Sequence, residues 1–245
     1  TPQITHAGRP VAFPTRKSEA LLIFLAVEGG FHSRERLTTL LWPESDEEHA
    51  RGSLRSALAS LRQALAEAQE QHGPSHLRVE RTLLALAEDS DVDLDLHRLR
   101  DAADLARGSS RLVPPELIAR LRDAADPYRG DFLQGFSVND APDFDGWVSQ
   151  QRETWHRQAG LVFDRLSQAL IDGGALLEAT EIASRWVELD SLNEAAHYRL
   201  MLAQATAGDR AGALRSYRAC QRVLAEELGT GPGPEIGRES CRERV

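Results

Sequence analysis

The sequence contains little cysteine and few aromatic residues. Cys220 and Cys241 are its two cysteines, and Phe, Trp and Tyr make up 6% of its 245 residues. Two cysteines are too few for a disulfide scaffold and are wrongly spaced for a zinc site. We therefore expect a protein of a reducing compartment, the cytoplasm, with no metal and no cofactor.

Long hydrophobic runs are also missing. The longest extends from Ala20 to Val27, whereas a membrane-spanning helix needs roughly 20 apolar residues. No signal peptide precedes this run, so we expect no membrane partner.

The chain begins at Thr1 without a methionine, and a strand expected before Gly8-Arg9-Pro10 is missing or incomplete. We therefore expect a fragment.

Motifs that carry catalysis are not found. The sequence lacks G-x-S-x-G, H-E-x-x-H and the nucleotide-binding G-x-x-x-x-G-K, and its eight histidines are scattered. Asp91, Asp93 and Asp95 have the spacing of a calcium loop, but the glycine and the final glutamate of such a loop are missing. We predict neither an enzyme nor a metal site.

The charge balance is acidic overall but reverses locally. With 29 basic and 38 acidic side chains, the formal net charge is −9, which argues against a protein that coats nucleic acid without specificity. The segment from His49 to Leu65 nevertheless contains no acid. A hydrophobic content of 41% supports well-filled cores, and the length favours two domains.

The segment from Asp46 to Leu65 has the pattern of an amphipathic helix. Leu54, Leu58, Leu61 and Leu65 fall on one stripe, which we expect to face a core. Arg51, Arg55 and Arg62 line one flank of this stripe, and the opposite face is small and uncharged, with Gly52, Ser56, Ala59, Ser60 and Gln63. We interpret this helix as one that enters a DNA groove.

Two shorter helices are predicted before this one. A short strand at 11–13 precedes the first helix, which is capped by Thr15 and ends at Glu28-Gly29-Gly30. The second helix is capped by Ser33 and runs from Arg34 to Leu41. Trp42-Pro43 ends the second helix. Ser45 and Glu48 have the spacing of a capping box for the third.

Arg16 and Lys17 lie in the first turn of the first helix, where cations oppose the helix dipole. They are either solvated surface residues or contacts for an external anion such as phosphate.

A hairpin is predicted after the third helix, with strands at 77–80 and 83–86. Arg81 at its tip is either a contact to DNA or an ordinary turn residue.

From Leu94 onward the pattern is almost entirely helical. Helices are predicted at 94–105, 115–125, 143–171, 176–189, 193–207 and 210–228, and the tryptophans at helical spacing are predicted to be core residues. The segments starting at Gly174 and Gly208 align at the tetratricopeptide period of 34, which indicates stacked helix pairs. The glycine- and proline-rich stretch 229–234 is a linker, and IGRESCRERV at 236–245 is expected to be a non-native tail.

Several motifs resemble one family. The segments GRPVAFPTRKSEALLIFLA, LTTLLWP and SLRSALASLRQAL are similar to the OmpR-type winged helix of the SARP class of bacterial transcriptional activators. The segments YRGDFLQGF, DFDGWVSQQR and ACQRVLAEELGTGPGPE resemble the bacterial transcriptional activator domain that follows it. The resemblance implies a mostly α fold with a winged helix-turn-helix at 1–88, TPR-like helices at 89–235 and the tail at 236–245.

The resemblance also implies a regulator that binds direct repeats near a promoter and contacts RNA polymerase. Arg16 and Lys17 are candidate DNA contacts because of their position in the first turn of the first helix. The resemblance assigns DNA contacts to the third helix through Arg51, Ser53, Arg55, Ser56, Ser60 and Arg62, and to the wing through Arg81. It assigns a polymerase-facing role to the loop that contains Trp42, Pro43, Glu44, Asp46 and Glu47. Which arginine meets a base and which meets a phosphate stays open, as does self-association through the helical domain.

Two other functions remain open from the sequence. The first is a TPR-like protein-interaction scaffold, for which the acidic net charge is the best support. The second is the N-terminal module of a larger ATP-dependent regulator.

Overall fold

A computed structural model describes residues 2–6, 9–68, 76–87, 92–108 and 113–233. The predicted tail at 236–245, the predicted boundary after residue 88 and Asp91 of the aspartate motif lie outside these ranges. The described chain is mostly helical, as predicted, and packs as two compact units. The first combines Thr1–Leu94 with Phe132–Thr154, and the second combines Asp95–Asp131 with Trp155–Val245.

The first unit contains a winged helix-turn-helix. Its elements are β1 (Thr5–His6), β2 (Arg9–Pro10), α1 (Arg16–Glu28), β3 (His32–Ser33), α2 (Arg34–Leu41), α3 (Glu47–Ala68), β4 (Leu77–Val79) and β5 (Leu83–Leu86). The segment 132–154 adds a turn-rich stretch and the first part of α6 (Pro142–Asp172). The predicted three helices and hairpin are confirmed.

Side-chain caps explain where α1 and α2 begin. The hydroxyl of Thr15 accepts a hydrogen bond from the Ser18 backbone N–H at 3.1 Å, and the Ser33 hydroxyl accepts one from Arg36 at 3.1 Å. These bonds satisfy backbone donors that a helix leaves free in its first turn. Helix α1 ends at Gly29, whose φ of 62° is readily adopted by glycine.

Two local predictions are wrong. The first strand pair joins Thr5–His6 to Arg9–Pro10, and residues 11–13 form no strand. The Val11 N–H still donates to the Ile4 carbonyl at 2.9 Å, beyond the end of the strand pair. Helix α3 is capped by Asp46 and not by Ser45: an Asp46 carboxylate oxygen accepts a bond from the His49 N–H at 3.0 Å.

The wing is a three-stranded antiparallel sheet in the order β3-β5-β4. His32 pairs with Leu84, and Leu77 pairs with Leu86 across the hairpin. The backbone N–H of Arg34 donates to the Thr82 carbonyl at 3.0 Å, so the hairpin tip is joined to the start of α2. Leu84 is fully buried and fixes the sheet against the core.

The second unit is all-helical within its described residues. Its helices are α4 (Asp95–Arg107), α5 (Pro115–Ala125), the remainder of α6, α7 (Leu176–Leu189), α8 (Glu194–Thr206) and α9 (Arg210–Leu228). Helix α8 packs against both α7 and α9. Ala179 and Ala213, which align at the predicted period, are buried together with Ala183, and these small side chains permit the close stacking. The TPR-like prediction is therefore confirmed.

No helix among the described residues is long and apolar enough to cross a membrane. In the same ranges, no three His, Cys, Asp or Glu side chains are grouped in a way that suits a metal ion. Trp147 and Trp155 of the long predicted helix are buried as predicted, and Trp186 is buried as well.

Candidate nucleic-acid interface

Helix α3 is oriented by its leucine stripe. Leu54, Leu58 and Leu61 are 1%, 3% and 0% exposed, and Leu65 at the end of the stripe is half-buried. Burial of each leucine side chain contributes about 1.5 to 3 kcal/mol to folding. Because this stripe is held in the core, the opposite face of the helix must point outward.

That outward face carries most of the residues predicted to contact DNA. Arg51, Arg55, Ser56 and Arg62 are exposed, while Ser53 and Ser60 are half-buried beside them. All six are at least partly exposed, with the three arginines on one flank of the helix and the three serines on another. Their contact with DNA stays a prediction.

The three arginines have different surroundings. Arg51 forms an ion pair with Glu47, one helical turn earlier. Within the described residues, Arg55 and Arg62 form no ion pair. Since a free guanidinium can offer its paired donors to a guanine edge without first releasing a carboxylate, Arg55 and Arg62 are better placed to bind a base than Arg51.

A groove of about 680 Å³ lies along the first half of α3, and we call it the α3 groove. Gly52, Ser53, Ser56 and Ser60 form its floor, and Lys17 and Trp42 line it from the ends of α1 and α2. The Lys17 ammonium lies 5.5 Å from the centre of the Trp42 ring, within cation–π range. Glycine and serine in the floor let a ligand approach the helix closely.

The two cations at the start of α1 differ in their contacts. Arg16 is exposed and stacks on Phe136 of the segment 132–154, with its guanidinium 5.2 Å from the ring centre. Lys17 is half-buried, and this burial lowers its pKa, although the nearby Asp140 carboxylate acts in the opposite direction. Lys17, not Arg16, lines the α3 groove.

The wing presents Arg81 at an exposed tip. The Arg81 carbonyl accepts a bond from Nε of Arg34 at 3.2 Å, which holds the tip backbone while leaving the Arg81 side chain outward. Behind the tip, Arg78 stacks over Phe31 at 5.3 Å from the ring centre.

The acids of the predicted polymerase-facing loop are partly engaged locally. Asp46 caps α3 and also bonds to Nδ1 of His49 at 2.6 Å, and its pKa is lowered chiefly by the bond from the His49 backbone N–H. Glu47 pairs with Arg51. Glu44 is exposed beside the half-buried Pro43, and Trp42 lines the α3 groove.

Sequence analysis missed the residues that attach segment 132–154 to the winged helix. Glu28 accepts bonds from Nε1 of Trp147 at 2.8 Å and from Nε2 of Gln151 at 3.1 Å. The Trp147 ring also lies 5.1 Å from that of Phe24. The DFDGWVSQQR motif held the signal, since it places an aromatic and an amide one helical turn apart, but not the partner.

Arg152 fixes the turn that precedes this helix. Its guanidinium donates to the carbonyls of Phe132 at 2.9 Å and Leu133 at 3.2 Å. Leu133 has a φ of 52°, which is unfavourable for a non-glycine residue. The two bonds stabilise this turn and keep Phe132 packed against Trp147 at a ring separation of 5.8 Å.

Comparison with known proteins places this architecture. Residues 94–240, more than half of the chain, match the model of the bacterial transcriptional activator domain. The regulatory protein AfsR of Streptomyces coelicolor is 28% identical over 97% of this chain and 23% of its own length. Mycobacterium tuberculosis EmbR, solved in complex with a low-affinity phosphopeptide, superposes with a TM-score of 0.73 at 22% identity.

The structural match covers 98% of this chain and 62% of the EmbR chain, and at this identity it shows a shared fold. The chain thus spans about a quarter of AfsR and less than two thirds of EmbR. The winged helix and the matched domain occur in the order that the sequence motifs predicted. The chain therefore belongs to the bacterial transcriptional activator domain family, and its similarity to AfsR agrees with the SARP-type resemblance of its motifs.

Proposed function

We propose that this chain acts in the cytoplasm as a sequence-specific DNA-binding activator. Its winged helix binds direct repeats at a promoter, α3 lies in the major groove, and the wing contacts the adjacent backbone. The loop between α2 and α3 contacts RNA polymerase. The proposal assigns no catalytic activity to the chain.

The outward face of α3 is the observation that carries this proposal. It offers three arginines and several serines on a helix whose other side is fixed in a core. The ion pair between Glu47 and Arg51 lies in the first turns of this helix. An α-helix fits the major groove of B-DNA, and arginine binds guanine O6 and N7 with two donors. The acidic net charge does not oppose this, because phosphate contacts depend on the local surface.

Selection of bound duplexes from random-sequence DNA tests the proposal. We expect enrichment of a motif with two half-sites in the same orientation. For the enriched duplex, log K should fall linearly with log salt concentration, with a slope of about −0.9 per phosphate contacted. No enriched motif, or affinity independent of salt, would contradict DNA recognition.

The polymerase contact is tested separately at the α2–α3 loop. Glu44 is the suitable position because its carboxylate is exposed and, among the described residues, has neither a capping bond nor an ion pair. Glu44→Gln removes the charge without adding a cation, and it should reduce transcription from the selected promoter in a purified system while DNA affinity stays unchanged. Equal transcription by both proteins at saturating occupancy would contradict the assignment.

A protein-interaction scaffold is the second candidate, and the stacked helices α7, α8 and α9 favour it. Leu177, at 83% exposure on α7, is an apolar side chain available to a partner. The salt titration separates the two functions, because a scaffold with a vestigial winged helix shows no phosphate-dependent slope.

A further inference from the structure

The Glu28 carboxylate, at the end of α1, has its two oxygens directed to different helices. Oε1 accepts the hydrogen bonds from Trp147 and Gln151 of α6, at 2.8 and 3.1 Å. Oε2 accepts a bond from Nη2 of Arg36 on α2 at 3.5 Å. One carboxylate therefore joins the start of α6 to the helix that precedes α3.

The ion pair between Glu28 and Arg36 is long and partly exposed, so it is weak by itself, but Arg36 has two further partners. His32 is buried, and its Nε2 atom donates to the Gly29 carbonyl at 2.7 Å, which leaves Nδ1 as an acceptor. That Nδ1 atom lies 3.3 Å from Nη1 of Arg36. The guanidinium also lies over the Phe24 ring, 5.3 Å from its centre. Arg36 is thus held by three side chains.

Phe24 connects this arrangement to α6 a second time. Its ring is buried and lies 5.0 Å from the His32 ring and 5.1 Å from the Trp147 ring. Removal of the Trp147 indole would therefore change both the hydrogen bonding of Glu28 and the packing on Phe24. Both changes affect the surroundings of Arg36.

We propose that Glu28 is a positioning residue for DNA binding. Trp147 and Gln151 fix its carboxylate, and the carboxylate fixes Arg36 and with it helix α2. This inference rests on the proposed function and deepens it. It makes a helix of the matched activator domain a determinant of DNA affinity, although that helix does not contact DNA.

Helix α2 depends on this support because it is short. It has eight residues, and its inner face is anchored by the fully buried Leu37 and Leu41. A second anchor on its flank, at Arg36, limits rotation of the helix about its own axis. Since only residues 42–46 connect α2 to α3, a shift of α2 is passed to the start of α3 and changes the fit of the helix-turn-helix on DNA.

The first test is Trp147→Phe in the full chain, with affinity measured on a duplex recovered by selection. The substitution removes the indole donor, and affinity should fall about twofold to tenfold. The slope of log K against log salt and the base preference should stay unchanged, because no contact to DNA is lost.

Val138→Ala is the matched control for this test. It removes buried side-chain volume from the same segment and leaves the hydrogen bonds of Glu28 in place. It should leave the affinity of the folded chain unchanged. Unchanged affinity in Trp147→Phe, or an equal loss in Val138→Ala, overturns the inference.

The second test asks whether α6 acts through Arg36. Arg36→Gln should weaken binding by a similar factor, and Trp147→Phe should have no further effect in the Arg36→Gln protein. If the two losses multiply, α6 does not act through Arg36 and the inference is overturned. A slope reduced by about 0.9 in Arg36→Gln would assign Arg36 to a phosphate contact, and that result also overturns the positioning role.

Amide hydrogen exchange tests the coupling without DNA. In Trp147→Phe and in Gln151→Ala, the backbone amides of α2 should exchange faster, by a larger factor than in Val138→Ala. Equal acceleration of the α2 amides in all three variants overturns the inference.

Failure of this inference is distinguishable from failure of the proposed function. If the unsubstituted chain shows no salt-dependent DNA binding, both are overturned. If it binds DNA and Arg55→Ala weakens binding, while Trp147→Phe changes neither affinity nor the exchange of α2 amides, the proposed function stands and this inference alone is overturned.

Discussion

The indole N–H of Trp147 donates a hydrogen bond to Oε1 of Glu28 at 2.8 Å, across 119 positions of sequence. Glu28 is the last residue of α1, and the same carboxylate oxygen accepts from Gln151. These hydrogen bonds attach the start of α6 to the winged helix. The first unit therefore includes residues 132–154, which lie within the matched activator domain.

This contact should contribute measurably to the stability of the first unit. Trp147→Phe keeps an aromatic ring but removes the donor, and we expect a loss of about 1 to 2 kcal/mol in the free energy of unfolding. Glu28→Ala removes the acceptor and leaves a buried indole N–H unsatisfied. Denaturant unfolding of both single variants and the double variant gives the coupling energy between Glu28 and Trp147. If the two losses in the free energy of unfolding simply add in the double variant, the contact does not stabilise the unit.

Asp46 should be the residue that caps α3. Its lowered pKa means that the cap is present above the unfolded-state value and is lost as the pH falls through the folded-state value. Asp46→Ala should therefore lower the melting temperature at pH 7 and have a smaller effect in acid. Ser45→Ala is the matched control, because Ser45 has the expected spacing but not the cap; an equal loss in both would contradict the assignment.

The contribution of each leucine of the α3 stripe to the free energy of unfolding should follow how deeply that leucine is buried. Leu61→Ala, at a site with 0% exposure, should cost about 2 to 5 kcal/mol in the free energy of unfolding. Leu65→Ala is the matched control at a half-buried site and should cost less. Chemical denaturation measures both, and a reversed order would show that the stripe is rotated away from the core.

Cys220 should be unreactive in the folded chain. It is fully buried between α8 and α9, and burial raises the pKa of its thiol to about 11. In Cys241→Ser, where Cys220 is the remaining thiol, we expect slow reaction with a disulfide reagent at pH 8 and fast reaction in denaturant. Because burial disfavours the thiolate, the free energy of unfolding should fall as the pH rises from about 9, the ordinary pKa of the thiol, through about 11.

Local signals in the sequence predicted most helices. Thr15, Ser33 and Asn193 cap helices where side-chain chemistry indicates a start, because such bonds involve residues close in sequence. The same locality explains the error at Asp46, since two adjacent residues both suit a cap and only the geometry selects one.

Long-range packing was not predictable in this way. The spacing of Phe144, Trp147 and Val148 indicates a buried face, and that face is buried. The spacing of apolar residues predicts that a helix face is buried, but it does not indicate which residues that face contacts. The contacts of Trp147 with Phe24 and Glu28 were therefore not predicted. For the candidate interface, the pattern predicted the outward face of α3, but not the Glu47–Arg51 ion pair or the place of Trp42.

Base preference measured for arginine variants of α3 tests the central claim most directly. For each variant, affinity would be measured on the selected duplex and on every single-base change of it. Arg55→Ala should weaken binding by about 1 to 3 kcal/mol and relax preference at one base pair. Arg51→Ala, which removes an arginine already paired with Glu47, should cost less. Unchanged affinity and base preference in Arg51→Ala, Arg55→Ala, Arg62→Ala and the triple variant, all folded, would contradict the account.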